Sequence, residues 1–263
     1  MTRAKGPDIS TWQRSPYIPG EPNIDLLIDD EDFVIFKYSQ DQRQDEDLDF
    51  WYSHIHGKKP TSGYHFGEYK KYAKPQAVFA IDTLKKYPAD FVFSLDIESY
   101  TEWDKDLQKW VPVPLPPAYN MVQWIFNFAD PFKEEFGHFP MMYINGSMAL
   151  YIKRSGHGRL NDLKTFPLWL SCPGPEQHIY DLGYMGIWDH WTFWQNTWKA
   201  DGYANGVESK DLDYNQFNNE KLGPFNSWIS YSEVVPPVVS QIDITAELAT
   251  IRAELDKIQS KVG

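Results

Sequence analysis

The chain has 263 residues, 42% hydrophobic and 16% aromatic, which suits a large folded α/β domain and excludes a disordered or fibrous chain. A formal charge of −12 repels phosphate backbones and anionic lipid surfaces, and so argues against a nucleic-acid binder or a membrane-docking protein. The single cysteine, Cys172, rules out an intrachain disulfide, and no apolar run approaches the ~18 residues of a membrane span.

Residues 1–6 carry two positive charges with no apolar stretch behind them, so no secretory signal is expected and synthesis in a cytoplasm is. Residues 21–50 hold eleven Asp or Glu against Lys37 and Arg43, read as a solvated face around a short buried strand at 33–36. A helix is predicted over 74–87 from the spacing of Ala77, Val78, Ile81 and Leu84, and a strand over 91–98. The Pro-rich stretch 111–117 can be neither helix nor central strand. A helix over 118–128 follows, then strand-like runs at 140–145, 166–171 and 191–195. This alternation predicts a parallel α/β arrangement, most simply one barrel over residues 1–232.

The tail differs. Residues 233–242 read as a linker. Beyond it Ile244, Leu248, Ile251, Leu255, Ile258 and Val262 recur in steps of four and three, a heptad seam over 243–263. Leu at a with Ile at d favours trimers or tetramers, so self-association through 244–262 is expected, against the plainer reading of a helix folded back on its own barrel.

The sharpest chemical feature is the triplet Asp96, Ile97, Glu98 at the end of an apolar strand. Side chains alternate along a strand, so Asp96 and Glu98 project to one side. Acids at the C-terminal tip of a barrel strand stand where barrel active sites are built, and their mutual repulsion over an apolar floor raises one pKa and leaves the other group ionised. That is what a general acid beside a stabilising carboxylate requires. Exposed strand ends also carry such acids for solubility, so the triplet alone does not decide. His54 and His56 lack a third ligand at matching spacing, and no metal or other cofactor is expected. The Trp-rich run 188–194, with Trp198, reads as either core or a platform for sugars. Cys172 reads as a small buried apolar group.

Several segments in order resemble the Chalaropsis-type lysozymes, glycoside hydrolase family 25. They are residues 7–13 (a G-x-D-I-S-x-W-Q pattern with Gly6), 34–39, 63–66 (G-Y-H-F), 95–98 (L-D-I-E), 143–145, 168–171, 194–195 and 212–217. The sequence departs from that pattern at Gln40, at Asn196 and at Ser171, Cys172 and Pro173. The resemblance implies a flattened (β/α) barrel that cleaves the β-1,4 bond between N-acetylmuramic acid and N-acetylglucosamine in peptidoglycan. It implies Glu98 as general acid, Asp96 as partner carboxylate, and Asp8 and Asp213 as further acids in the groove. Tyr64, His65, Tyr143, Trp169, Trp194 and Gln195 are expected to contact the glycan. The expected setting is a phage endolysin or virion-associated lysin acting on the bacterial cell wall. Alternatives are a non-catalytic glycan-binding component of a phage particle, or a glycosidase for another N-acetylated glycan.

Overall fold

The computed structural model describes residues 2–14 and 21–229; the linker and heptad expected over 233–263 lie outside the described residues. Eleven strands are described: β1 Lys5–Ile9, β2 Val34–Gln40, β3 Arg43–Gln44, β4 Thr61–Phe66, β5 Ser94–Asp96, β6 Thr101–Asp104, β7 Lys109–Pro112, β8 Met141–Asn145, β9 Leu168–Ser171, β10 Phe193–Asp201 and β11 Asp211–Phe217. The order β1-β11-β10-β9-β8-β5-β4-β2, closed by pairing of β1 with β2, makes an eight-stranded barrel. Seven strands run parallel and β11 runs antiparallel between β10 and β1. The architecture is mixed α/β and consistent with a flattened barrel.

Helices α1 Ile24–Ile28, α2 Leu48–Ile55, α3 Ala73–Lys86, α4 Ala118–Phe136 and α5 Gly146–Lys153 connect parallel strands. Helix α3 stops at Lys86 because Tyr87 precedes Pro88 and is pushed out of helical geometry, and Lys85 and Lys86 complement the dipole of its last turn. Helix α4 runs eight residues past the predicted end, straight through Pro131. Its face of Met121, Val122, Ile125, Phe128 and Phe132 is wholly buried, and that burial outweighs the one backbone hydrogen bond proline removes. The helix ends where Gly137 takes φ 77°, a left-handed cap that glycine adopts without strain. Among the described residues no helix is long and apolar enough to cross a membrane.

Two cores follow from the period of two. On β2, Val34, Phe36 and Tyr38 face the helices while Ile35 faces the lumen. The lumen is filled low down by Phe33, Ile35, Phe91, Met141, Trp169, Phe193 and Phe217. The plug itself holds no ionisable side chain, so the mouth at the strands' C-terminal ends is where chemistry can be placed. The acid-rich segment 21–50 is not all solvated face. Glu31 and Asp45 are buried, Glu31 because the Tyr214 hydroxyl donates to it and Asp45 because the backbone N–H of Thr11 and Asp47 donate to it.

Candidate active site

The trough is built from inward positions near the ends of β1, β2, β4, β5, β8, β10 and β11. Asp8 and Asp213 lie directly across from each other on β1 and β11. Asp96 ends β5, and the chain stays extended past it because Ile97 N–H donates to the Tyr143 carbonyl at 2.9 Å. Glu98 therefore emerges on the same side as Asp96, as the alternation requires. The four carboxylates are close enough to perturb one another: Asp96 feels Glu98 and Asp8, Glu98 feels Asp8, and Asp213 feels Asp8 and Glu98.

Burial drives all four carboxyls upward, and like charge adds to the rise of Asp96, Glu98 and Asp213. Burial pushes Glu98 up to about 7, with Asp8 adding to the rise and Lys37 opposing it. Asp213 is pushed to about 8, by burial first and then by Asp8 and Glu98. Asp8 also rises through burial, held back by hydrogen bonds from Asn215 and Gln195. Asp96 stands well above the carboxylate range, through burial and then the charge of Glu98. The sequence predicts that one of the pair stays ionised. Both are raised instead, by burial first, and among the described residues the buried Oδ1 of Asp96 has no hydrogen-bond donor. Lys37 is a cation facing this cluster; its Nζ donates to Gln40 Oε1 at 2.7 Å. Gln40, one of the departures from the family pattern, thus links Lys37 to Glu68, to which its Nε2 donates at 2.9 Å.

Gln195 organises the wall opposite. Its Nε2 donates to Asp8 Oδ2 at 2.9 Å and to Asp213 Oδ2 at 3.3 Å. Its Oε1 accepts from the hydroxyls of Tyr143 and Ser171, at 2.8 and 2.7 Å, and from Trp198 Nε1 at 2.8 Å. Register shifts in β10 on either side of Thr197 accompany this arrangement. Such bulges re-aim side chains, and here Trp198 reaches back to the same carbonyl. Tyr64 sits among Asp8, Asp96, Asp45 and Glu98, and burial holds its phenol well above its usual range.

Not every expected contact residue reaches the trough. His65 lies behind β4, fully buried against Phe128 of α4, with Nδ1 on Ser39 Oγ and Nε2 on Gln76 Oε1; burial pushes it down to about 4. It is a neutral structural histidine facing the helices. Trp194 also points outward, packing on Trp191 and donating to the Cys172 carbonyl. Trp169 does point inward, but one layer down. Its Nε1 donates to Asn215 Oδ1 at 2.7 Å, and Asn215 Nδ2 donates to Asp8 Oδ2 at 2.8 Å, so it braces Asp8 from below. Of the Trp-rich run, Trp188, Trp191 and Trp194 are core and Trp198 is exposed. The sequence does not single out Lys37, Asp45, Ser171 or Asn215 as site residues, whereas Trp198, open between core and a sugar platform, stands exposed beside Gln195. Ser10 and Gln13 of the first motif have a local role: Ser10 caps the turn Thr11–Gln13, and Gln13 Oε1 accepts from the Ser10 N–H.

A search of curated proteins finds no match. Among solved structures, the fold is similar to a family GH25 lysozyme from Aspergillus fumigatus, at 23% identity and TM-score 0.61 over 88% of this chain and 99% of that one. It is also similar to a bacterial lysozyme from Streptomyces coelicolor, at 19% identity and TM-score 0.62 over 89% and 98%. A family 25 glycosyl hydrolase from Bacillus anthracis aligns at 18% identity and TM-score 0.62 over 84% and 92%. At such identities these likenesses speak for the fold alone. The model of the glycosyl hydrolases family 25 matches residues 31–207 of the sequence, and the chain belongs to that family of glycoside hydrolases.

Proposed function

We propose that the protein is a peptidoglycan muramidase of the bacterial cell wall that cleaves the β-1,4 bond between N-acetylmuramic acid and N-acetylglucosamine, with Glu98 as general acid. The observation that carries this reading is a carboxyl raised to about 7 beside a second buried carboxyl on one strand end. Breaking the glycosidic bond leaves an electron-poor anomeric carbon and an alkoxide leaving group. Glu98, protonated at neutrality, delivers its proton to the departing oxygen. Asp96 stabilises the positive charge that develops, directly or by orienting the 2-acetamido group. An acetamide N–H would supply the donor that Asp96 Oδ1 lacks among the described residues, and so favour its ionised form. Deprotonated Glu98 then takes the proton of the incoming water. Asp8 and Asp213, tied together through Gln195, line the trough, and Asp8 adds to the rise of Glu98 by its charge. The endolysins and virion lysins of phages offer a setting that fits this activity.

Reducing-end analysis of digested, purified sacculi tests the reading. New ends at N-acetylmuramic acid are expected; ends at N-acetylglucosamine, or no digestion, would remove it. The electrostatics gives a second expectation. Lys37 opposes the rise of Glu98, so Lys37→Met raises that pKa further. Loss of kcat/KM on the alkaline side follows deprotonation of the acid, near pH 7 in the parent. That limb should move to higher pH in Lys37→Met, and a shift to lower pH would contradict the proposed role of Glu98.

A further inference from the structure

Among the described residues four tryptophans are exposed: Trp12, Trp103, Trp110 and Trp198. All four lie at the mouth. Trp12 follows the end of β1, Trp103 and Trp110 follow β5, and Trp198 stands on β10 beyond Gln195. The β6–β7 hairpin carries the two central ones. Trp103 pairs across it with Trp110, and the rings meet edge to face with centroids 5.8 Å apart. They are 46% and 64% exposed. Thr101 and Pro112 share their side of the hairpin, whereas Glu102, Asp104 and Lys109 occupy the other.

A two-stranded hairpin outside a core is marginal by itself, and this one is anchored at its base. Val113 N–H donates to the Tyr100 carbonyl, the Tyr69 hydroxyl donates to the Val113 carbonyl, and Lys70 pairs with Glu102. The tryptophan pair contributes no burial to the barrel core, and two large rings held in water are costly unless something covers them. Trp103 is five residues beyond Glu98, at most about 17 Å of extended chain. A polymer cleaved at Glu98 therefore passes within a few sugar rings of the pair. The chain's charge of −12 disfavours an anionic occupant, and the apolar face of a neutral sugar ring suits indole stacking.

We propose that Trp103 and Trp110 form a sugar-stacking subsite remote from the cleaved bond, which grips the same glycan strand and gives the enzyme its preference for polymer over short fragments. This rests on the muramidase reading for the identity of the strand. The test is made in the inactive Glu98→Gln background, by pelleting with purified sacculi freed of anionic wall polymers. Trp103→Ala with Trp110→Ala is expected to weaken binding about tenfold, as the loss of two stacking rings implies. Trp110→Ala alone gives a smaller loss in the same direction and disturbs the hairpin least. With Glu98 intact, the double variant loses kcat/KM on sacculi but keeps it on a soluble tetrasaccharide of alternating N-acetylglucosamine and N-acetylmuramic acid. Unchanged pelleting would overturn the proposal, and so would equal losses on sacculi and tetrasaccharide. Failure of the parent to digest sacculi would count against the muramidase reading alone, because binding is compared without turnover.

Discussion

Glu98→Gln is expected to cut turnover of sacculi by about 10²–10⁴-fold and, at the same time, to raise the melting temperature at pH 8. Both effects come from one feature, a carboxyl whose folded pKa of about 7 lies above its ordinary 4.5. Between those values the folded protein holds a proton the unfolded chain has released, so stability falls as pH rises through that window. Glutamine keeps the shape and removes the ionisation. The gain is therefore small near pH 4.5, grows toward pH 7 and is level above it. A gain of about 2 kcal/mol is expected at pH 8, or roughly 4–8 °C for a domain of this size. Thermal melts of parent and variant at pH 5 and pH 8 check this. Equal differences at the two pH values would mean that Glu98 is not the strained group.

Gln195→Leu should have the opposite sign on stability while also lowering activity. Leucine fills the space, yet it withdraws two donated hydrogen bonds from Asp8 and Asp213 and an acceptor shared by Tyr143, Ser171 and Trp198. Trp198 Nε1 retains Ser171 Oγ at 3.0 Å, so the net cost is smaller than the count of broken bonds. About 3 kcal/mol is expected, or roughly 6–12 °C, from the groups left unsatisfied. Turnover should fall at least about tenfold as Asp8 and Asp213 lose their common tether. Gln195→Glu separates the two functions of the amide. It keeps an acceptor for Tyr143 but brings a fifth carboxyl, so its melting temperature should be higher at pH 5 than at pH 8.

Much of this site is legible in the sequence once the period of two is applied strictly. Asp96 and Glu98 share a side because they are two apart, and Asp213 and Asn215 do so for the same reason. Tyr64 and His65 are neighbours on β4, so they cannot both face the trough, and His65 is the one that turns to the helices. Trp194 and Gln195 divide in the same way. Ser171, two residues after the inward Trp169, and Lys37, two after the inward Ile35, were within reach of that rule. Trp169 shows its limit: parity gives the face and not the height, and only its pairing with Phe193 places it one inward step below Gln195. The hairpin of β6 and β7 had no such signal, since four-residue strands around a polar turn resemble loop. The antiparallel β11 was hidden too, because its alternation of acid and apolar residues reads equally well as a surface motif. Burial of Glu31 and Asp45 depends on partners far along the chain or on backbone donors, which a charge count does not register.

The proposed chemistry requires four carboxyls crowded into one trough with the proton of Glu98 retained near neutrality. Titration of the Glu98 side-chain carboxyl by carbon-13 NMR, assigned through Glu98→Gln, reads that directly. A midpoint near 7 is predicted, whereas one close to 4.5 would mean that the acid is solvated and that the trough does not supply the charge this chemistry needs.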